Sequence, residues 1–103
     1  QEPSRGERVL MMEATAYCYG YITKTGTSPR EGRTIAVDPE VIPLDSEVYV
    51  SCESWPEIDG TYIAEDTGGV IRGHKIDLYM ESEDECLQWG RRTVEVRVLG
   101  VRQ

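Results

Sequence analysis

Apolar positions recur at every second residue in six short stretches of this chain, a spacing that predicts six β-strands. The first covers residues 9–17 and ends in Ala14-Thr15-Ala16-Tyr17. Shorter strands follow at 33–37 and 47–51, the second with clean alternation. A fourth, 61–65, comes directly after Asp59-Gly60, which reads as a hairpin turn. The fifth, 75–80, divides into two faces. Ile76, Leu78 and Met80 point toward a core, while Lys75, Asp77 and Tyr79 share the opposite side. The sixth, 94–101, sets Val94, Val96 and Val98 on one face.

One short helix is expected near residues 82–89. Ser82 followed by Glu85 forms a capping box, Cys86, Leu87 and Trp89 supply the apolar side, and Gly90 closes it. Short strands with a single helix predict an all-β chain with small α content. A small closed barrel, plugged at one end by the helix, fits better than a parallel sheet. Residues 19–32 are rich in Gly, Thr, Ser and Pro and form a long loop, an element that often carries function. Residues 1–7 are polar and read as disordered or as a linker remnant, leaving 8–103 as one domain.

Composition narrows the partners. A chain of 103 residues with 39% hydrophobic and 29% charged residues is one folded domain with a modest core. Its net charge of −8 disfavours nucleic acid and anionic membrane surfaces, and suits a neutral or amino-bearing ligand such as a polysaccharide. No apolar run reaches the roughly 18 residues of a membrane span, and no signal peptide is visible. Opening at Gln1 without Met, the sequence reads as a mature form or an excised fragment, with a leader or neighbouring domains expected elsewhere.

Cys18, Cys52 and Cys86 show no C-x-x-C spacing, and His74 is the lone histidine, so no metal and no cofactor is expected. Two readings of the cysteines stand: one disulfide with a free thiol in an oxidising compartment, or three buried thiols elsewhere. A catalytic cysteine is disfavoured, because its one available imidazole partner lies in a loop beside aspartates.

The chemistry concentrates in residues 66–77, Asp-Thr-Gly-Gly-Val-Ile-Arg-Gly-His-Lys-Ile-Asp. Asp66 and Asp77 bracket a glycine turn, Thr67-Gly68-Gly69, whose paired glycines permit positive φ and close approach of a ligand. If the turn folds Asp66 back toward Asp77, the two carboxylates resist ionising together and one stays protonated, as a general acid requires. Beside this stands the plainer reading of Asp38 and Asp66 as Asx-turn residues hydrogen-bonded to nearby amides. Asp77, mid-strand between apolar residues, fits that reading least. Tyr17, Tyr19 and Tyr21 would stack on sugar rings or simply pack. Trp55 reads as a loop anchor, Trp89 as core, and Arg91-Arg92 as a solvated pair or one at a helix terminus.

Several motifs in one order resemble the 3D domain family, named for three aspartates. These are Thr15-Ala16-Tyr17, Gly32-Arg33-Thr34-Ile35-Ala36-Val37-Asp38-Pro39, Val41-Ile42-Pro43-Leu44, Ala64-Glu65-Asp66-Thr67-Gly68-Gly69-Val70-Ile71-Arg72-Gly73, Lys75-Ile76-Asp77-Leu78-Tyr79 and Trp89-Gly90-Arg91-Arg92-Thr93-Val94. The resemblance spans residues 12–101. It implies a six-stranded double-psi β-barrel related to the catalytic domain of membrane-bound lytic transglycosylase A and to Firmicute stationary-phase survival and resuscitation-promoting factors. It further implies cleavage of peptidoglycan between N-acetylmuramic acid and N-acetylglucosamine, in the cell wall or outside the cell. Asp77 would be the acid/base, Asp66 its support and Asp38 the third member. Thr15, Tyr17, Thr67, Gly68, Gly69, Lys75 and Tyr79 would line the glycan strand. The three cysteines and the long segment 51–59 depart from the family pattern.

Two rival functions remain. A glycan-binding module of the same fold would use the same groove without turnover. A dimeric aspartic protease would use Asp66-Thr67-Gly68, although that motif comes late in the chain and Asp77 follows it closely.

Overall fold

Alternation in sequence becomes alternation in burial. The computed structural model describes residues 8–102, so the expectation for residues 1–7 lies outside the described residues. Its elements are β1 (Arg8–Tyr17), β2 (Thr34–Val37), β3 (Ser46–Ser51), β4 (Gly60–Asp66), β5 (Lys75–Tyr79), α1 (Glu83–Trp89) and β6 (Arg92–Val101). The strands close into a barrel in the order β1-β5-β2-β4-β3-β6. β1 runs parallel to β5 and β2 parallel to β4, while the remaining neighbours are antiparallel. Closure satisfies the backbone groups that an open sheet leaves at its edges.

Inside lie Ile76 and Leu78 of β5, Val94, Val96 and Val98 of β6, Val48 and Val50 of β3, and Met80 just past β5. All of β2 and the middle of β4 are buried on both faces. The loop of residues 19–32 lies against β4, where Thr25 N donates to Glu65 O at 3.0 Å. This two-sided burial explains why strand periodicity is weakest there.

Helix α1 begins as its sequence indicates. Ser82 Oγ accepts from Glu85 N at 3.1 Å, and Gly90, at φ 63°, ends it with its amide on Cys86 O. Trp89 is buried and donates its indole N–H to Ala14 O at 3.0 Å, pinning the helix to β1. Leu87 corrects the expectation, being 79% exposed. A two-turn helix buries positions three or four apart, here Cys86 and Trp89, and Leu87 falls on the other side.

Asp59-Gly60 is also not a tight hairpin turn. Gly60 already pairs with Val50 as part of β4, so residues 52–59 form the whole connection. Asp59 Oδ1 accepts Cys52 N at 2.8 Å across it, and a 3₁₀ turn at Pro56–Ile58 fills the space between. Trp55 anchors this segment against Trp89, with ring centroids 5.6 Å apart. Arg92 lies over both rings and donates to Trp89 O and Gln88 O, the helix-terminus role expected of it.

Candidate active site

Strand β2 lies between the strands that carry the two aspartates. Its Ala36 is in register with Asp66 of β4 on one side and with Asp77 of β5 on the other. The pairing of β2 with β4 slips between Ile35 and Ala36, jumping from Ala64 to Asp66. Glu65 is the residue skipped. A one-residue slip changes which side chain faces the partner's neighbours, so this bulge brings Asp66 alongside Ala36. At the usual strand spacing the two aspartate backbones are then about 10 Å apart, with a methyl group between them.

Glu65 holds the bulge. It is 3% exposed, and its Oε1 accepts from Thr34 Oγ1 at 2.7 Å and from Arg33 Nε at 3.1 Å. Arg33 also donates to Ser28 O, which ties the 19–32 loop to the same anchor. Within that loop Thr23 is buried and bonded to Thr27, and the turn they make aims the Lys24 amide at Asp66.

Asp66 accepts three hydrogen bonds: Tyr17 Oη to Oδ2 at 3.1 Å, and the amides of Lys24 and Thr67 to Oδ1 at 3.0 Å each. Asp77 accepts from Thr15 Oγ1 at 3.0 Å, across the parallel β1–β5 pair. Burial pushes the Asp77 carboxyl above its ordinary range; the Thr15 bond opposes this and the Asp66 charge adds to it. Burial, with the Asp66 charge and hydrogen bond, also holds the Tyr17 hydroxyl well above the usual tyrosine value, so it remains a donor. The Tyr17 and Tyr79 rings meet edge to face at 5.4 Å beside the pair.

Asp38 is not a third member of this pair's hydrogen-bond network. Its Oδ2 accepts Gly73 N at 2.8 Å and its Oδ1 accepts Glu40 N at 3.0 Å, and these bonds hold its carboxyl below the ordinary range. Asp38 therefore fixes the return of the 67–74 segment, as an Asx-turn reading implies. The positive φ expected of Gly68 and Gly69 occurs instead at Gly73, at 72°. Gly68 is closely packed instead: a Cβ there would sit 3.1 Å from Ile71 Cγ1, and that side chain would have to shift by a few tenths of an ångström. Thr67, Gly68 and Gly69 line a cleft of about 300 Å³ with Lys24, Asp38 and Arg72.

The other candidates separate. Thr15 and Tyr79 stand in the site. Tyr17 does too, but as a buried donor rather than a stacking platform. Lys75 is directed to Glu13, at 3.6 Å, so its charge is engaged on the neighbouring strand. Tyr19 and Tyr21 are exposed, and His74 uses its backbone carbonyl to accept Glu13 N. Among the described residues no group of three His, Cys, Asp or Glu side chains is placed to hold a metal. A larger concavity, about 600 Å³ and lined by Met11, Cys52, Asp59 and Glu95, contains none of the three aspartates. Sequence reading missed Lys24, whose contribution is an amide, and Glu65, whose signal was a carboxylate inside an apolar strand.

With the site in view, the comparisons decide the family. The 3D domain family matches residues 33–100. The chain belongs to the 3D domain family. It is 42% identical over 98 residues to the cell wall-binding protein YocH of Bacillus subtilis, covering 87% of this chain and 32% of that protein. It is 38% identical over 101 residues to the putative cell wall shaping protein YabE of the same organism, covering 89% and 23%. The chain thus spans a third or less of these two relatives. Among solved structures, MltA from E. coli superposes with a TM-score of 0.66 at 18% identity, over 82% of this chain and 29% of MltA. An expansin of Clavibacter michiganensis, solved with cellohexaose, gives 0.64 at 15% identity, over 92% and 51%. These likenesses to solved structures identify the double-psi β-barrel fold.

Proposed function

We propose that this 3D domain is a lytic transglycosylase of peptidoglycan, acting at the cell wall or outside the cell. One observation carries the reading: a half-buried aspartate, Asp77, whose carboxyl is pushed up by burial and by Asp66. A carboxyl raised in this way keeps its proton to higher pH than a free one, and so is suited to give a proton and then take one back.

Protonated Asp77 donates to the glycosidic oxygen, and the bond from muramoyl C1 to that oxygen breaks. The positive charge developing at C1 lies beside Asp66, which Tyr17, Lys24 N and Thr67 N hold in place. Asp77, now a carboxylate, takes the proton from the C6 hydroxyl of the same sugar. That oxygen closes on C1 and yields a 1,6-anhydro end. The acid is regenerated and no water is consumed, unlike the two-carboxylate hydrolases. The cleft beside Thr67 and Gly69 extends the binding surface from the pair toward Arg72. The fold shared with MltA supports the reading without carrying it.

Digestion of purified peptidoglycan tests it, with anhydromuramoyl ends expected by mass spectrometry and lost in Asp77→Asn. Reducing ends alone would show a hydrolase. The name of the relative YocH favours a second reading, a wall-binding module that uses the same groove without turnover. Retention on peptidoglycan with no released product would establish it.

A further inference from the structure

The chain carries three cysteines, and the fold treats them differently. Cys52 is 2% exposed and its thiol is directed at Thr93 O, 3.7 Å away. Thr93 pairs with Glu13 of β1, five residues before Cys18, or about 17 Å along an extended strand. A disulfide needs Cα atoms within about 7 Å, so Cys52 and Cys18 are not partners.

Cys18 and Cys86 lie near each other. Cys18 directly follows β1, at the level where Met80 N donates to Tyr17 O at 2.8 Å. The chain then turns at Glu81 and Ser82 and enters α1, which runs back along β1 until Trp89 reaches Ala14 O. Cys86 sits on the β1-facing side of α1, one turn before Trp89. Cys18 and Asp77 are both close enough to act on its thiol electrostatically. Both residues are partly exposed and so open to a small oxidant.

We propose that Cys18 and Cys86 close a disulfide that staples α1 to the end of β1 beside Tyr17 and Asp77, leaving Cys52 as a buried thiol. The oxidant is a small-molecule or protein disulfide of the glutathione class. Burial, foremost, with Cys18 and the nearby acids, pushes the Cys86 thiol up to about 11, so Cys86 keeps its proton and the first attack falls to Cys18. The Cys18 thiolate bonds to one sulfur of the oxidant and expels the other as a thiolate. The Cys86 proton passes to that thiolate, and the Cys86 sulfur attacks Cys18 Sγ and releases the second small thiolate. Two protein thiols are oxidised and one disulfide is reduced to two thiols.

The inference stands apart from the proposed catalysis and is tested without it. The folded chain is equilibrated in glutathione redox buffer, alkylated under denaturing conditions and digested. A Cys18–Cys86 peptide pair and one alkylated thiol, on Cys52, are expected. Oxidation is expected to raise Tm by roughly 10 °C, because the staple closes a long loop of chain. Cys18→Ser and Cys86→Ser should each abolish the shift, and the double variant should match the singles. Three alkylated thiols, or a bridge containing Cys52, would overturn the proposal. The peptide map uses the unaltered chain, so a variant that fails to fold does not blunt the test.

Discussion

Asp66 and Asp77 stand on either side of Ala36, one strand apart from each other, and Asp66 bears on the Asp77 proton. The pH profile should report this coupling. With Asp77 as the acid, kcat/KM falls as pH rises through its value. Asp66→Asn removes a charge that raises that value, so the alkaline limb moves to lower pH. Thr15→Val removes a bond that lowers it, so the limb moves to higher pH. Opposite movements of the two limbs on a muropeptide substrate are the expected result; limbs that stay put would disconnect both residues from the acid.

Asp77→Asn should be both inactive and more stable near neutral pH. The folded-state value of Asp77 is raised, so its favourable contribution is complete below the unfolded value of about 3.9 and is lost as pH rises through the folded value. Above that folded value the wild type holds a half-buried charge that asparagine removes. Activity should drop by at least about a hundredfold. Tm should rise at pH 7 relative to wild type, with no gain at pH 3, as differential scanning calorimetry would record.

Asp38 has the opposite sign. Its value is lowered by the Gly73 and Glu40 amides, so its stabilisation is present above the unfolded value and disappears as pH falls through the folded one. Asp38→Asn should lower Tm at pH 7 and converge with wild type in acid. Because the Gly73 bond fixes the 67–74 segment, the variant should also raise KM more than it lowers kcat.

A second acidic contact tests the same logic away from the site. Glu31 lies beside Glu85 of α1, and its carboxyl accepts Glu81 N at 2.7 Å. Burial, foremost, and Glu85 raise its value against that amide bond. Glu31→Gln should therefore raise Tm slightly at pH 7 and not at pH 4. Its exposed position means added salt shrinks the difference.

How much of this was legible in the sequence follows from where the information resides. Side-chain period placed Asp77 on the face opposite Ile76 and Leu78, and Ser82 and Gly90 marked the helix ends. The approach of Asp66 to Asp77 depends instead on barrel closure and on a bulge, neither of which has a period. Lys24 acts through a backbone amide that any residue except proline supplies. Leu87 was misplaced because two turns of helix are too short for its stripe to show.

Glu65 is where these threads join. A buried carboxylate in an apolar strand is costly unless paired, and here it accepts Thr34 and Arg33 while occupying the bulge that aligns Asp66. Glu65→Ala orphans both donors and frees the loop that brings Lys24 N to Asp66. Breaking a fully buried pair costs about 3–5 kcal/mol. Arg33 keeps 32% of its side chain exposed, so roughly 2–3 kcal/mol is expected, a Tm loss of about 10 °C. Glu65→Gln keeps an acceptor for Thr34 and should lose less. Hydrogen exchange should show the Lys24 and Thr67 amides opening in Glu65→Ala while the β1–β6 ladder stays protected. If those two amides stay as protected as in wild type, Glu65 stabilises the barrel without positioning Asp66.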